Sequence, residues 1–156
     1  MTYHYISAGE ADTELLAERL GALLEPGSVI VLDGDLGAGK TRFSQGIARA
    51  LGVKGIVNSP TFTLIKEYEG RQLSLYHMDV YRIDELEAGE LGLDEYFYGD
   101  GVCLVEWASR IEGLLPEARL RIYIARRDDE TRQFEIEPIG EPYASWCGKL
   151  KETGLL

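Results

Sequence analysis

An α/β fold of three layers, with a mainly parallel sheet edged by antiparallel strands, is the architecture the sequence predicts. Three observations carry it. A short continuous apolar run, Val29, Ile30, Val31 and Leu32, is followed at once by a glycine-rich turn and then by a helical stripe, giving a strand, loop and helix in succession. A second uninterrupted run, Val102, Cys103, Leu104 and Val105, reads as another strand buried on both faces. Two hairpin-like stretches, 61–80 and 120–136, add antiparallel strands to that parallel centre.

In chain order, Ser7 followed three residues later by Glu10 reads as a capping box opening a helix. Leu16, Leu20, Leu23 and Leu24 recur along it at helical spacing, and Pro26-Gly27 ends it. After the strand and the glycine turn, Phe43, Ile47, Ala50 and Leu51 form a stripe at i, i+4, i+7 and i+8, with Gly52 as the stop. The first hairpin turns around Glu69-Gly70-Arg71-Gln72 and the second around Arg127-Asp128-Asp129-Glu130. In the second, Leu120, Ile122 and Ile124 share one face, Arg121 and Tyr123 the other, and Phe134 and Ile136 alternate with Glu135 and Glu137. An acidic, helical stretch is predicted over 84–97.

The 156 residues suit a single domain spanning 1–156, and 45% apolar with 28% charged residues is an ordinary globular composition. The charge balance is less ordinary. With 27 acidic against 16 basic residues the formal charge is -11, which repels the phosphate backbone that dominates nucleic-acid affinity, so direct RNA or DNA binding is disfavoured. The first seven residues lack the layout of a secretory signal, and no apolar run reaches membrane-spanning length. Cys103 and Cys147 lie far apart with no CxxC spacing, which fits a reducing, cytoplasmic setting with no membrane partner. His4 and His77 are isolated in sequence and read as packing residues rather than metal ligands.

The chemistry is concentrated in Gly34-Asp35-Leu36-Gly37-Ala38-Gly39-Lys40-Thr41, a complete GxxxxGK[ST] with a strand before it and a helix after it. Gly37 and Gly39 let the backbone curl so that successive N–H groups face phosphate oxygens, and the helix N-terminus adds partial positive charge. Lys40 reaches the β- and γ-phosphates, and Thr41 offers a hydroxyl to Mg²⁺. The fold is therefore of P-loop NTPase type. The nucleotide-binding set runs Gly34, Asp35, Leu36, Gly37, Ala38, Gly39, Lys40, Thr41 and Arg42.

Such a site needs an acid for its metal at the end of a buried strand. Glu106, after the run ending at Val105, is the metal-side acid beside Thr41. Asp79, after the more mixed Leu75-Tyr76-His77-Met78, is the second or water-orienting acid, and the order between the two stays open. The chain has one asparagine, Asn58, followed by Ser59, so an Asn-Lys-x-Asp guanine reader is absent and ATP is favoured. Thr61 and Thr63, beside the stiff Pro60, are either a switch that senses the γ-phosphate or part of a polar turn.

Taken together, GDLGAGKT at 34–41, SPTFTL at 59–64, YHMDVYR at 76–82, GLDEYF at 92–97 and VEW at 105–107 resemble the TsaE family over the span from the first helix to about residue 116. That resemblance implies a bacterial ATPase needed for making threonylcarbamoyladenosine in tRNA. It would work with the TsaD and TsaB proteins, which transfer the threonylcarbamoyl group, and would meet tRNA only through that complex. By the same resemblance Lys40 and Thr41 match phosphate and magnesium positions, Glu106 the Walker B acid, Asp79 an acid required for activity, and Thr61 a switch-like threonine. Trp107 matches a tryptophan beside the nucleotide, with a plain packing role as its alternative. Adenine is expected near 10–13. Arg42 departs from the family, where many relatives carry a second threonine.

Two other function classes share these residues. A small-molecule kinase would also need an acceptor site under a lid, and no arginine-rich lid is evident, since Arg126-Arg127 sit in a hairpin turn that reads as a solvated edge. A nucleotide-dependent adaptor would use occupancy alone. Hydrolysis measured with and without partners separates the three.

Overall fold

Nothing in the glycine turn interrupts the apolar run that precedes it, and the run forms a strand, Val29–Gly34, buried at all six positions. The computed structural model, which describes residues 1–35, 37–55, 57–58, 60 and 64–156, builds outward from this strand. In chain order the elements are β1 (Tyr3–Ser7), α1 (Glu10–Gly21), β2 (Val29–Gly34), α2 (Lys40–Ala50), β3 (Ile65–Glu69), β4 (Ser74–Asp79), α3 (Glu85–Gly89) and α4 (Asp94–Phe97). There follow β5 (Val102–Glu106), a 3-10 segment (Ala108–Leu114), β6 (Arg119–Arg126), β7 (Arg132–Ile139) and α5 (Tyr143–Glu152).

The strands form one sheet in the order β1-β7-β6-β2-β5-β4-β3. The inner four, β6-β2-β5-β4, are parallel, while β3 on one side and β7 and β1 on the other are antiparallel. The expected mainly parallel sheet with antiparallel edges is therefore found. Side chains of β2 separate by parity: Ile30 and Leu32 join a core with Leu16 and Leu20 of α1, Phe43 and Ile47 of α2, and Trp146 of α5. Val29 and Val31 join the opposite core with Ala88 of α3, Phe97 of α4 and Ile111 of the 3-10 segment. Helical elements thus cover both faces, which is why the central strands carry no polar alternation.

Helices α1 and α2 cross closely because glycine stands at two meeting points. Gly21 faces Ala50, and a Cβ placed on Gly46 would lie 2.6 Å from the Cβ of Ala17. Gly46→Val is expected to push the helices apart and lower stability by about 1–3 kcal/mol. Chemical denaturation checks this, with a lower transition midpoint expected.

Several expectations require correction. Ser7 does not cap α1, since it ends β1, pairs with Arg132 of β7, and donates its hydroxyl to the carbonyl of Gly9 at 2.7 Å. Gly9 is the N-cap and makes no side-chain cap, while Asp12 accepts from the Ala8 N–H at 2.8 Å. Sheet pairing has taken Ser7 away from the helix end. Leu23 and Leu24 lie beyond α1 but still pack on the core. The acidic stretch holds two short helices rather than one, and the capping box occurs there, between Asp84 and Glu87. His4 is exposed instead of packed. Cys103 and Cys147 are buried free thiols, pushed up to about 12 and about 11 by burial. Among the described residues no helix is long and apolar enough to cross a membrane.

Candidate nucleotide site

The loop from β2 to α2 needs glycine for stated reasons. Gly34 has φ 152° and an added Cβ would meet the Ile124 carbonyl oxygen of β6 at 2.5 Å. Gly37 and Gly39 have φ 78° and 105°, a region side chains rarely adopt. Gly39 is the N-cap of α2 and makes no side-chain cap, so the start of this helix faces the loop with its amide groups. Asp35 and Gly37 are exposed and Ala38 is buried. Leu36 and Thr61 fall outside the described residues, as do Ser59, Phe62 and Thr63 of the predicted switch.

Lys40 opens α2. Its ammonium donates to the carbonyls of Gly34 at 2.7 Å and Asp35 at 2.8 Å and lies 4.2 Å from the centre of the Trp107 ring. Burial pulls its pKa below the ordinary lysine value, opposed by the carboxylates of Glu106, Asp33, Asp35 and Asp79. Trp107 has a left-handed backbone, φ 63°, and stacks on Tyr81 with ring centres 4.6 Å apart. Arg110 lies on the Tyr81 ring at 5.2 Å. Trp107 is therefore at the loop, where its packing partners are the lysine and a tyrosine.

Glu106 and Asp79 end adjacent parallel strands in the same register. Both are buried, at 2% and 6% exposure. The Asp79 carboxylate accepts from the Tyr81 N–H at 3.0 Å, and Oε2 of Glu106 lies 2.5 Å from Nε2 of His77. Buried Asp33, one residue before Gly34, accepts from both the N–H and the hydroxyl of Ser109, tying the segment after Trp107 to β2.

Lys40, half-buried Thr41, Asp79, Glu106 and Trp107 line one cleft of about 740 Å³. A second cleft of about 330 Å³ adjoins it, lined by Glu10 and Thr13 of α1, Gly39, Arg42 and Arg132. Arg42, predicted at the phosphates, is paired with Glu10 across that second cleft. The donor set suits magnesium, because a hydroxyl and a carboxylate leave further positions to phosphate oxygens and water. Among the described residues no group of three or more His, Cys, Asp or Glu side chains is disposed as a metal cage.

Arg132 was missed by sequence reasoning. It begins β7, lines both clefts, and its Nε donates to the Ala38 carbonyl at 3.0 Å. Its position depends on the turn before it. Asp128 accepts from the N–H groups of Glu130 and Thr131, which hold its carboxyl below the usual range, and Arg132 Nη1 donates to the Asp128 carbonyl at 2.8 Å. In the same hairpin, the Arg126 side chain is exposed and paired with Asp129.

Known proteins resemble this chain over most of its length. The family model for the threonylcarbamoyl adenosine biosynthesis protein TsaE matches residues 7–134. A Bacillus subtilis protein named tRNA threonylcarbamoyladenosine biosynthesis protein TsaE is 52% identical over 139 residues, covering 89% of this chain and 87% of its own. A Treponema pallidum protein of the same name is 45% identical, covering 84% and 97%. The crystal structure of YdiB from Bacillus subtilis superposes with a TM-score of 0.87 at 44% identity, covering 99% of this chain and 97% of that one.

Proposed function

Because this chain belongs to the TsaE family of threonylcarbamoyladenosine biosynthesis proteins, we propose that it hydrolyses magnesium-bound ATP in the cytoplasm in support of that tRNA modification, acting with TsaB and TsaD. The observation that carries the reading is the convergence, in one cleft, of Lys40, Thr41, Asp79 and Glu106 on the start of α2. The curled loop and helix start supply N–H donors, and Lys40 supplies the point charge for the β- and γ-phosphates. Thr41 and Glu106 would hold the magnesium ion, which when bound neutralises charge on the β- and γ-oxygens.

Asp79, with its carboxylate fixed by the Tyr81 N–H, is suited to orient an attacking water. Arg132 adds a guanidinium at the boundary between the two clefts, and the second cleft beside Glu10 and Thr13 is the natural seat for adenine. The -11 charge fits a protein that meets tRNA through its partners and not directly.

Magnesium titration of ATP hydrolysis tests the roles. Glu106→Ala is expected to raise the half-saturating magnesium concentration by about 10–100-fold, the range found when the support of a metal site is lost. Asp79→Ala is expected to lower the maximal rate with a smaller change in magnesium requirement. The opposite ranking would exchange the two roles.

A further inference from the structure

We propose that His77 is a positioning residue for Glu106: its Nε2–H holds Oε2, so that Glu106 offers a cation the single oxygen Oε1. The inference deepens the magnesium role assigned to Glu106 and rests on it. His77 lies in β4 with no exposed surface, and Nε2 is 2.5 Å from Oε2. Its other ring nitrogen, Nδ1, is buried and has no hydrogen-bond partner among the described residues.

That asymmetry selects the tautomer. A proton on Nδ1 would be an unpaired buried donor and would turn the Nε2 lone pair toward a carboxylate; a proton on Nε2 meets an acceptor at once. Strand register explains why histidine is needed at this position. Asp79 is paired with Glu106 across β4 and β5, and His77 stands two residues earlier, opposite Leu104. Residues two apart share a face, so a side chain at 77 lies beside its neighbour strand on the side where Asp79 emerges. An apolar residue, as at Leu75, would satisfy burial without leaving Nδ1 unpaired. Among the described residues, the bond to Glu106 is the polar contact that accounts for an imidazole there. With Oε2 engaged, the carboxylate cannot rotate freely and presents one oxygen, which suits an ion that demands near-octahedral geometry.

The test uses calorimetric binding of a non-hydrolysable ATP analogue across magnesium concentrations, with thermal unfolding of each variant as the fold control. His77→Leu should raise the magnesium concentration needed for tight binding by about tenfold or more. His77→Gln, whose amide N–H can stand near the place of Nε2–H, should recover most of the loss. In a double-mutant cycle with Glu106→Gln, the leucine substitution should add little, because both act through one carboxylate. A magnesium requirement unchanged in folded His77→Leu, or fully additive effects, would overturn the positioning role while leaving Glu106 in place. If Glu106→Gln alone changes nothing, the metal assignment itself fails, and His77 with it. Should the leucine variant not fold, nitrogen-15 NMR of the wild-type imidazole decides: an Nε2-protonated ring supports the proposal, and an Nδ1-protonated ring contradicts it.

Discussion

Replacing Lys40 with alanine should lower ATP turnover by at least about 10²-fold, the cost of removing one preorganised charged or hydrogen-bonding group from a transition state. The reason is local electrostatics. Burial pulls the pKa of the Lys40 ammonium down while the carboxylates of Glu106, Asp33, Asp35 and Asp79 act to raise it, and of these Glu106 and Asp79 share its cleft. Truncation removes the cation that sits beside Glu106 and Asp79, in a protein whose net charge is already -11. It also removes two hydrogen bonds to the carbonyls of Gly34 and Asp35, both in the loop itself. Core packing around β2 does not depend on them. Steady-state phosphate release, read beside circular dichroism and thermal unfolding, checks the expectation. Unchanged turnover in a folded variant would remove the phosphate assignment.

The second large effect expected is acceleration by partners. Turnover by the isolated chain should be slow, and a complex with TsaB and TsaD should raise it by about 10³-fold or more, the scale reached when a cationic or ordering group completes a phosphoryl-transfer site. Arg132 is a cation of the chain's own at the cleft, which the sequence reading did not foresee. Its guanidinium is nevertheless committed to backbone carbonyls: Nε to Ala38, and Nη1 to Asp128 and Thr131. A partner that reshaped the 128–132 turn would free this group toward the nucleotide, coupling hydrolysis to docking. Phosphate release at saturating Mg-ATP, with and without excess of both partners, measures the ratio. Fast turnover independent of partners would count against coupling.

How much was legible follows from the range of the interactions. β2, the glycine loop and α2 are encoded within 29–51 by continuous apolar residues, glycines and a helical stripe, and they form as the pattern implies. Glu106 could be placed at a strand end because it follows an uninterrupted apolar run and Asp79 because it follows the more mixed 75–78, and both do end adjacent strands in register, which leaves their chemical roles open. The second hairpin was legible from strict alternation.

Other features depend on pairings no local pattern contains. β1 is short, and its Ile6 points outward at 54% exposure while Tyr5 is buried, so its alternation misleads. Ser7 shows the same override, where a local capping signal yields to pairing with β7. Helix α5 could have been found, because Tyr143, Trp146, Cys147 and Leu150 recur at i, i+3, i+4 and i+7 and are the buried residues of that helix. Arg132 and the His77–Glu106 bond could not: one depends on a turn at Asp128 that brings Arg132 to Ala38, 94 positions before it, the other on the register of two strands.

The most direct test combines chemistry and pathway. The purified chain, TsaB, TsaD, substrate tRNA and the threonylcarbamoyl donor are incubated with magnesium and γ-labelled ATP, and both released phosphate and modified adenosine are followed over many cycles. Magnesium-dependent release of inorganic phosphate, with sustained tRNA modification that stops when Lys40→Ala replaces the wild-type chain, is the predicted result. Sustained modification with the Lys40→Ala chain, or label appearing on a small-molecule acceptor in place of free phosphate, would contradict it.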